Sequence, residues 1–154
     1  MKKRNKLLLA AVLLLGGVIL FLFQDKTLII KDADTGKVYG TWKVEEKDIF
    51  SLEFVHSVNQ TPVVDEFMVT EDGFKAHKTI FSSLGAGVQT ELKEGEMLSY
   101  DNEGNMVISG FSQTFKELNL IVGTVSDHIL TINGEKISLR ELCGRNASVT
   151  VLVR

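Results

Sequence analysis

A chain of 154 residues that is 44% hydrophobic and 24% charged has room for one domain with a proper core, which excludes a disordered or collagen-like polymer. Four of its 17 basic residues, Lys2, Lys3, Arg4 and Lys6, precede the first apolar run, leaving 13 against 20 acidic residues. That balance argues against nucleic acid as a partner, because binding there depends on neutralising phosphates. Cys143 is the sole cysteine, so neither an internal disulfide nor a thiolate metal cluster can form.

The first element is LLLAAVLLLGGVILFLF, Leu7 to Phe23, which carries no charge. At a rise of ~1.5 Å per residue it extends about 26 Å, enough to span a bilayer. A cleaved signal peptide has a shorter apolar core followed by small residues, whereas FLFQDKT is bulky, so residues 1–24 read as an uncleaved transmembrane signal anchor. The basic flank stays cytoplasmic by the positive-inside rule. Residues 25–154 are then an extracytoplasmic domain of a single-pass protein of the cytoplasmic membrane.

Beyond Thr27, short alternating or β-branched segments are separated by turn signals, the pattern of an all-β fold. TLIIK and VYGTWKV flank a tight turn at Asp34-Thr35-Gly36 and are expected to pair. IFSLEFVHS places Phe50, Leu52, Phe54 and His56 on one face, toward the core. Asn59, Gln60, Thr61 and Pro62 make a polar corner before the strand VVDEFMVT, since proline removes a donor and belongs at a turn or a strand start. That corner is expected to set His56 across from Glu66. FKAHKTIFSS returns with Phe74, Ala76, Lys78 and Ile80 on one face, impure enough to suggest an edge strand or a bulge near Lys78. SSLGAGVQTELKEGE reads as a loop, with room for one helical turn toward Glu91 and Leu92. MLSY and MVISGF flank the turn DNEGN, and FKELNLIVG favours strand over helix because Ile121 and Val122 precede a glycine. In HILTINGEKISL, Asn133-Gly134 signals a type I′ hairpin, with His128, Leu130 and Ile132 sharing a face. ASVTVLVR closes the chain with Ala147, Val149, Val151 and Val153 inward. An antiparallel β-sandwich, or a partly open barrel, accounts for this pattern with no helix beyond the anchor.

The candidate chemistry centres on His56 and His128, each at the end of an apolar stripe. Each caps its stripe by bonding a backbone carbonyl, or the two converge with Glu66 or Asp65 on one pocket. Two imidazoles and a carboxylate could hold zinc, but no His-x-His or His-x-x-x-His spacing sets two ligands on one element, so a metal remains an open alternative. Ser57, His56 and Glu66 have the residue types of a nucleophilic triad, yet Ser57 is the strand neighbour of His56 and points to the opposite face. Gly85-Ala86-Gly87 matches neither a nucleophile elbow nor a phosphate loop. His77, between Ala76 and Lys78, reads as plain surface. No constellation meets the geometric test for catalysis, so the expectation is a protein that is not an enzyme and carries no cofactor.

The runs HSVNQTPVVDEF, FSSLGAGV and VGTVSDHIL, in that order, resemble the Domain of Unknown Function 1850 family of bacterial and archaeal proteins. The resemblance covers most of residues 45 to 153, and the matching positions are His56, Ser57, Thr61, Pro62, Glu66, Gly85, Gly87, Gly123 and His128. One departure is Gln89, where many members continue the GAG turn with a proline. The family has no established activity. It implies a small, largely β, exported or membrane-anchored domain, often encoded beside TAXI-type TRAP transporters, and hence transporter subunits as partners. An accessory module whose contact surface includes the His56 corner, the GAG loop and His128 follows from it. A small-ligand or metal-binding domain using the same surface is the alternative.

Overall fold

The computed structural model describes residues 26–57, 60–82 and 91–154, so the expected anchor, Asn59 and Gly85-Ala86-Gly87 lie outside the described residues. Among the described residues no helix is long and apolar enough to cross a membrane. The first hairpin joins β1 (Lys26–Asp32) to β2 (Val38–Val44). Its turn is organised by Asp32, whose Oδ1 accepts from the N–H groups of Asp34 and Thr35 and from the Thr35 hydroxyl, while Tyr39 donates to Oδ2. Those donors, the Thr35 N–H first, hold the Asp32 carboxyl down at about 2.

A second sheet is built from β3 (Ile49–Val55), β4 (Pro62–Thr70) and β5 (Gly73–Phe81), which run as a meander. The hairpin of β6 (Met97–Tyr100) and β7 (Met106–Ser109) extends it on one side. The turn between them is closed by Asp101, which accepts from Glu103 and Asn105. After the short β8 (Thr114–Phe115), also paired to β5, the chain changes sheets at Lys116 and enters β9 (Glu117–Ile121). On the other side β10 (His128–Ile132) pairs β3 and turns into β11 (Glu135–Ser138). Asn133 and Gly134 both have positive φ, 51° and 79°, as a type I′ turn requires. The last strand is β12 (Ser148–Val153), which lies between β1 and β9.

All these pairings are antiparallel, and they make two sheets: β2-β1-β12-β9, and β11-β10-β3-β4-β5-β7-β6 with β8 beside β5. The sheets face each other across a shared core. Leu28, Ile30, Val149 and Val151 come from the smaller sheet, and Phe50, Leu52, Phe67, Phe74, Leu130 and Ile132 from the larger. Phe50 stacks on Phe67 at 5.2 Å and meets the edge of Phe74 at the same separation, packing worth more than apolar area alone. Of the stripes expected from alternation on β3, β10 and β12, Phe50, Leu52, Leu130, Ile132, Val149, Val151 and Val153 lie in this core, while Phe54 packs against a second cluster of Val63, Phe81 and Ile108.

Three expectations change. The ladder between β4 and β5 slips between Glu66 and Phe67, pairing Glu66 with Lys78 but Phe67 with Ala76 and leaving His77 as the extra residue of a bulge. Of the two explanations for the impure face, a bulge near Lys78 is present, whereas β5 is no edge strand, lying between β4 and β7. Beyond it Thr79 and Phe81, not Lys78 and Ile80, are the partners of the inner residues Asp65 and Val63. His77 is therefore half-buried at an irregularity and is not plain surface. The described residues also contain a helix where none is expected. This is α1 (Leu139–Cys143), whose N-cap Ser138 accepts from the Glu141 N–H at 3.0 Å and whose Leu139 is fully buried. Glu91 and Leu92 form no helical turn.

Candidate functional site

One row of the larger sheet crosses five strands as His128, Phe54, Val63, Phe81 and Met106, each the ladder partner of the next. His128 belongs to VGTVSDHIL, Phe54 adjoins HSVNQTPVVDEF, Val63 lies inside it, and Phe81 opens FSSLGAGV. All three segments that are far apart in sequence thus reach one end of one sheet. At the opposite end lie the 45–48 and 71–72 turns, and there Lys26, where the described chain enters the domain, bonds the carbonyl of Glu71 at 2.6 Å.

The polar corner of this end is narrow. The His56 N–H donates to the Thr61 carbonyl and the Gln60 N–H to the His56 carbonyl, both at 2.9 Å, with Gln60 at φ 53°. The Gln60 side-chain amide also donates to the Ser57 carbonyl at 2.7 Å. Ser57 and Pro62 are exposed, while His56 and Thr61 are half-buried. Beside this corner the Ser126 hydroxyl accepts from the Val55 N–H at 2.9 Å, stitching the 123–128 loop to the end of β3.

His128 is held by that loop. Its Nδ1 accepts from the Gly123 N–H at 3.1 Å, and its ring lies 5.5 Å from that of Phe54. Burial pushes its pKa below the ordinary histidine value of 6.5, against the opposing pull of Asp127. An unprotonated Nδ1 and a depressed pKa both describe a neutral imidazole that braces a turn. Gly123 packs so closely that an added Cβ would collide with the Ser126 carbonyl oxygen. Asp127 ties the same loop to α1, accepting from the Ser138 hydroxyl at 2.5 Å and from the N–H groups of His128 and Arg140. The Arg140 guanidinium reaches back to the Val125 carbonyl at 3.0 Å.

Glu66 does not join this site. It pairs with Ser51, five residues beyond Thr61, which puts it roughly 16 Å along the strand from the corner at ~3.3 Å per residue. It also lies on the opposite face from Val63, Asp65 and Phe67, where it forms an ion pair with Lys78 at 3.2 Å. The expected His56–Glu66 juxtaposition fails because the corner is a tight hairpin: Pro62 already pairs with Val55, so each later β4 residue moves away from His56. Among the described residues no three His, Cys, Asp or Glu side chains group closely enough to hold a metal ion.

A second feature lies two rows farther in, on the same face. There Leu130, Leu52, Asp65, Thr79 and Ile108 are successive ladder partners, and Asp65 sits among core residues. The Thr79 hydroxyl donates to its Oδ1 at 2.7 Å, and burial raises its pKa above 3.8 despite that bond. Asp65 lines a cleft of about 370 Å³ that Glu66, Phe67, Lys78, Phe111, Phe115 and Leu118 help to wall. The sequence signal for this acid is the alternation of Val63, Asp65 and Phe67, which puts it on the core side. Reading Asp65 and Glu66 as an acidic pair hides that only Asp65 alternates with Val63 and Phe67 on the core side, although both residues line the cleft.

The fold and the site define a small antiparallel all-β domain whose motif-bearing segments gather at one sheet end. The chain belongs to the family described as Domain of unknown function (DUF1850), whose sequence model matches residues 50–139. The matched region runs from Phe50 in β3 to Leu139 at the start of α1 and so contains all of the larger sheet but Ile49, together with β9, while β1, β2 and β12 complete the smaller sheet from outside it. No curated protein and no solved structure matches the chain.

Proposed function

We propose that this chain is a membrane-anchored extracytoplasmic accessory module of a membrane transport system of the TAXI-type TRAP class. Residues 1–24 are its anchor, and a β-sandwich-like domain is its working part. The observation that carries the reading is polarity along the strands. The chain enters at Lys26 at one end, and the His56 corner and the 123–128 loop occupy the other. The seven residues of β3 separate the two ends by roughly 20 Å at ~3.3 Å each. An anchored domain of this shape presents the motif end away from the bilayer, toward an extracytoplasmic partner. Val55, 39% exposed, and Val125, 93% exposed, give that end apolar contact area beside its polar corner.

The test is affinity capture of the full-length, anchored chain from its own membranes, followed by identification of transporter subunits. Recovery of those subunits by the parent chain and loss of recovery by Val125→Glu is the expected result. Failure to recover any transporter subunit with the anchor intact overturns the reading.

A further inference from the structure

We propose that the cleft over Asp65 is a binding site for a small organic cation, a primary or secondary ammonium carrying an apolar or aromatic group. The site is separate from the motif end and does not depend on the accessory reading. Two backbone irregularities meet at it. The β5 bulge falls at His77, and at the same level the neighbouring chain leaves the ladder between its Ser109–Lys78 and Thr114–Lys75 pairings, returning through a bond from the Ala76 N–H to the Gln113 carbonyl. Paired irregularities open a sheet where an unbroken ladder would be closed, and bulges commonly re-aim side chains beside functional sites.

The lining then selects the ligand. Phe67, Phe111 and Phe115 present aromatic surface, and Asp65 supplies a carboxylate whose Oδ1 is taken by Thr79 and whose Oδ2 has no donor among the described residues. Lys78 and Glu66 also line the cleft, but they are paired with each other at 3.2 Å, and no bond joins the Lys78 ammonium to Asp65. A half-buried carboxylate with no cation bonded to it is costly to the fold, and an ammonium entering the cleft supplies both the charge and the missing donor. Aromatic faces attract the same cation through their quadrupoles. The volume, about 370 Å³, is at the small end of ligand pockets and suits a molecule the size of an aryl-alkyl amine. The raised pKa of Asp65 agrees with this, since a bound cation favours the ionised form and expels a proton.

Calorimetric titration of the full-length chain in detergent micelles with 2-phenylethylamine, 2-phenylethanol and phenylacetate tests the proposal near neutral pH. The amine binds more tightly than the alcohol, the acid does not bind, and Asp65→Asn weakens the amine about tenfold or more while leaving the alcohol unchanged. Asn keeps an acceptor for Thr79, and a melting temperature no lower than the parent's shows that the variant is folded. Phe111→Ala weakens amine and alcohol alike. Equal binding of amine and alcohol, undiminished amine binding by Asp65→Asn, preferred binding of phenylacetate, or no binding by any probe overturns the proposal.

Discussion

His128 stands directly across the β10–β3 ladder from Phe54, with the two rings 5.5 Å apart, and its Nδ1 receives the Gly123 N–H at 3.1 Å. The pairing places His128 two residues short of His56 on the adjacent strand, so the two histidines occupy the same end of the fold. It also makes the His128 ring part of the packing. Protonating Nδ1 would remove the acceptor on which the Gly123 N–H depends.

Acidification should therefore weaken the fold through His128. Its folded pKa lies below 6.5, so as pH falls past 6.5 the unfolded chain takes up a proton that the folded chain refuses. The contribution of neutral His128 is complete above 6.5, declines as pH falls, and levels off below the folded pKa. Denaturant titrations across this range should show the decline in the parent chain and a shallower one in His128→Asn, whose amide oxygen can still accept from Gly123. Equal slopes in the two proteins would assign the decline to other groups.

Gly123→Ala should open the 123–128 loop. The added methyl meets the Ser126 carbonyl, which is backbone and cannot swing aside as a side chain can. A cost of about 1 to 3 kcal/mol is expected, in the range of strained backbone substitutions. The diagnostic readout is local: the Val55 amide, now protected by the Ser126 hydroxyl, should exchange faster with solvent deuterium.

Asp127→Ala should cost more than Ser138→Ala. Asp127 accepts three hydrogen bonds, two from backbone N–H groups that would lose their partner, and links the loop to α1. Losing a charged acceptor from such a network costs about 2 to 3 kcal/mol, whereas losing a helix N-cap costs about 1. Comparing the two variants by chemical denaturation checks the order, and a smaller loss for Asp127→Ala would mean the loop is held mainly by Arg140.

Much of the fold could be read from the sequence because its turns carry their own chemistry. Asn133-Gly134, Asp34-Thr35-Gly36 and Asp101 with Asn105 form turns where residue type alone predicts them. The inner stripes of β3, β10 and β12 follow from unbroken alternation. What alternation cannot supply is the place where the pleat slips. Counting past His77 without a bulge assigns Lys78 and Ile80 to the core and hides Thr79, the partner of Asp65. The helix was signalled by Ser138 three residues before Glu141, an N-cap pattern masked by the strand that precedes it. Glu66 was misplaced for a different reason. Register depends on which residues close the hairpin, and the bond between His56 and Thr61 is a fact of geometry that composition does not encode.

Asp65→Asn should make the protein more stable at neutral pH. Burial raises the Asp65 pKa in the folded chain above its unfolded value of 3.8, against the smaller opposing effect of the Thr79 hydroxyl. An acid shifted upward adds most to stability when both states are protonated, below 3.8. Its contribution is lost as pH rises from there to the folded pKa, because the unfolded chain ionises first. Asparagine keeps the Thr79 bond without the charge, so its melting temperature should exceed that of the parent above this window and converge with it toward pH 3.8. Thermal scans of both proteins from acid to neutral pH check this. A lower melting temperature for Asp65→Asn at neutral pH would mean that the carboxylate is already compensated in the folded chain, and the cleft would then lack the unpaired charge that attracts a cation.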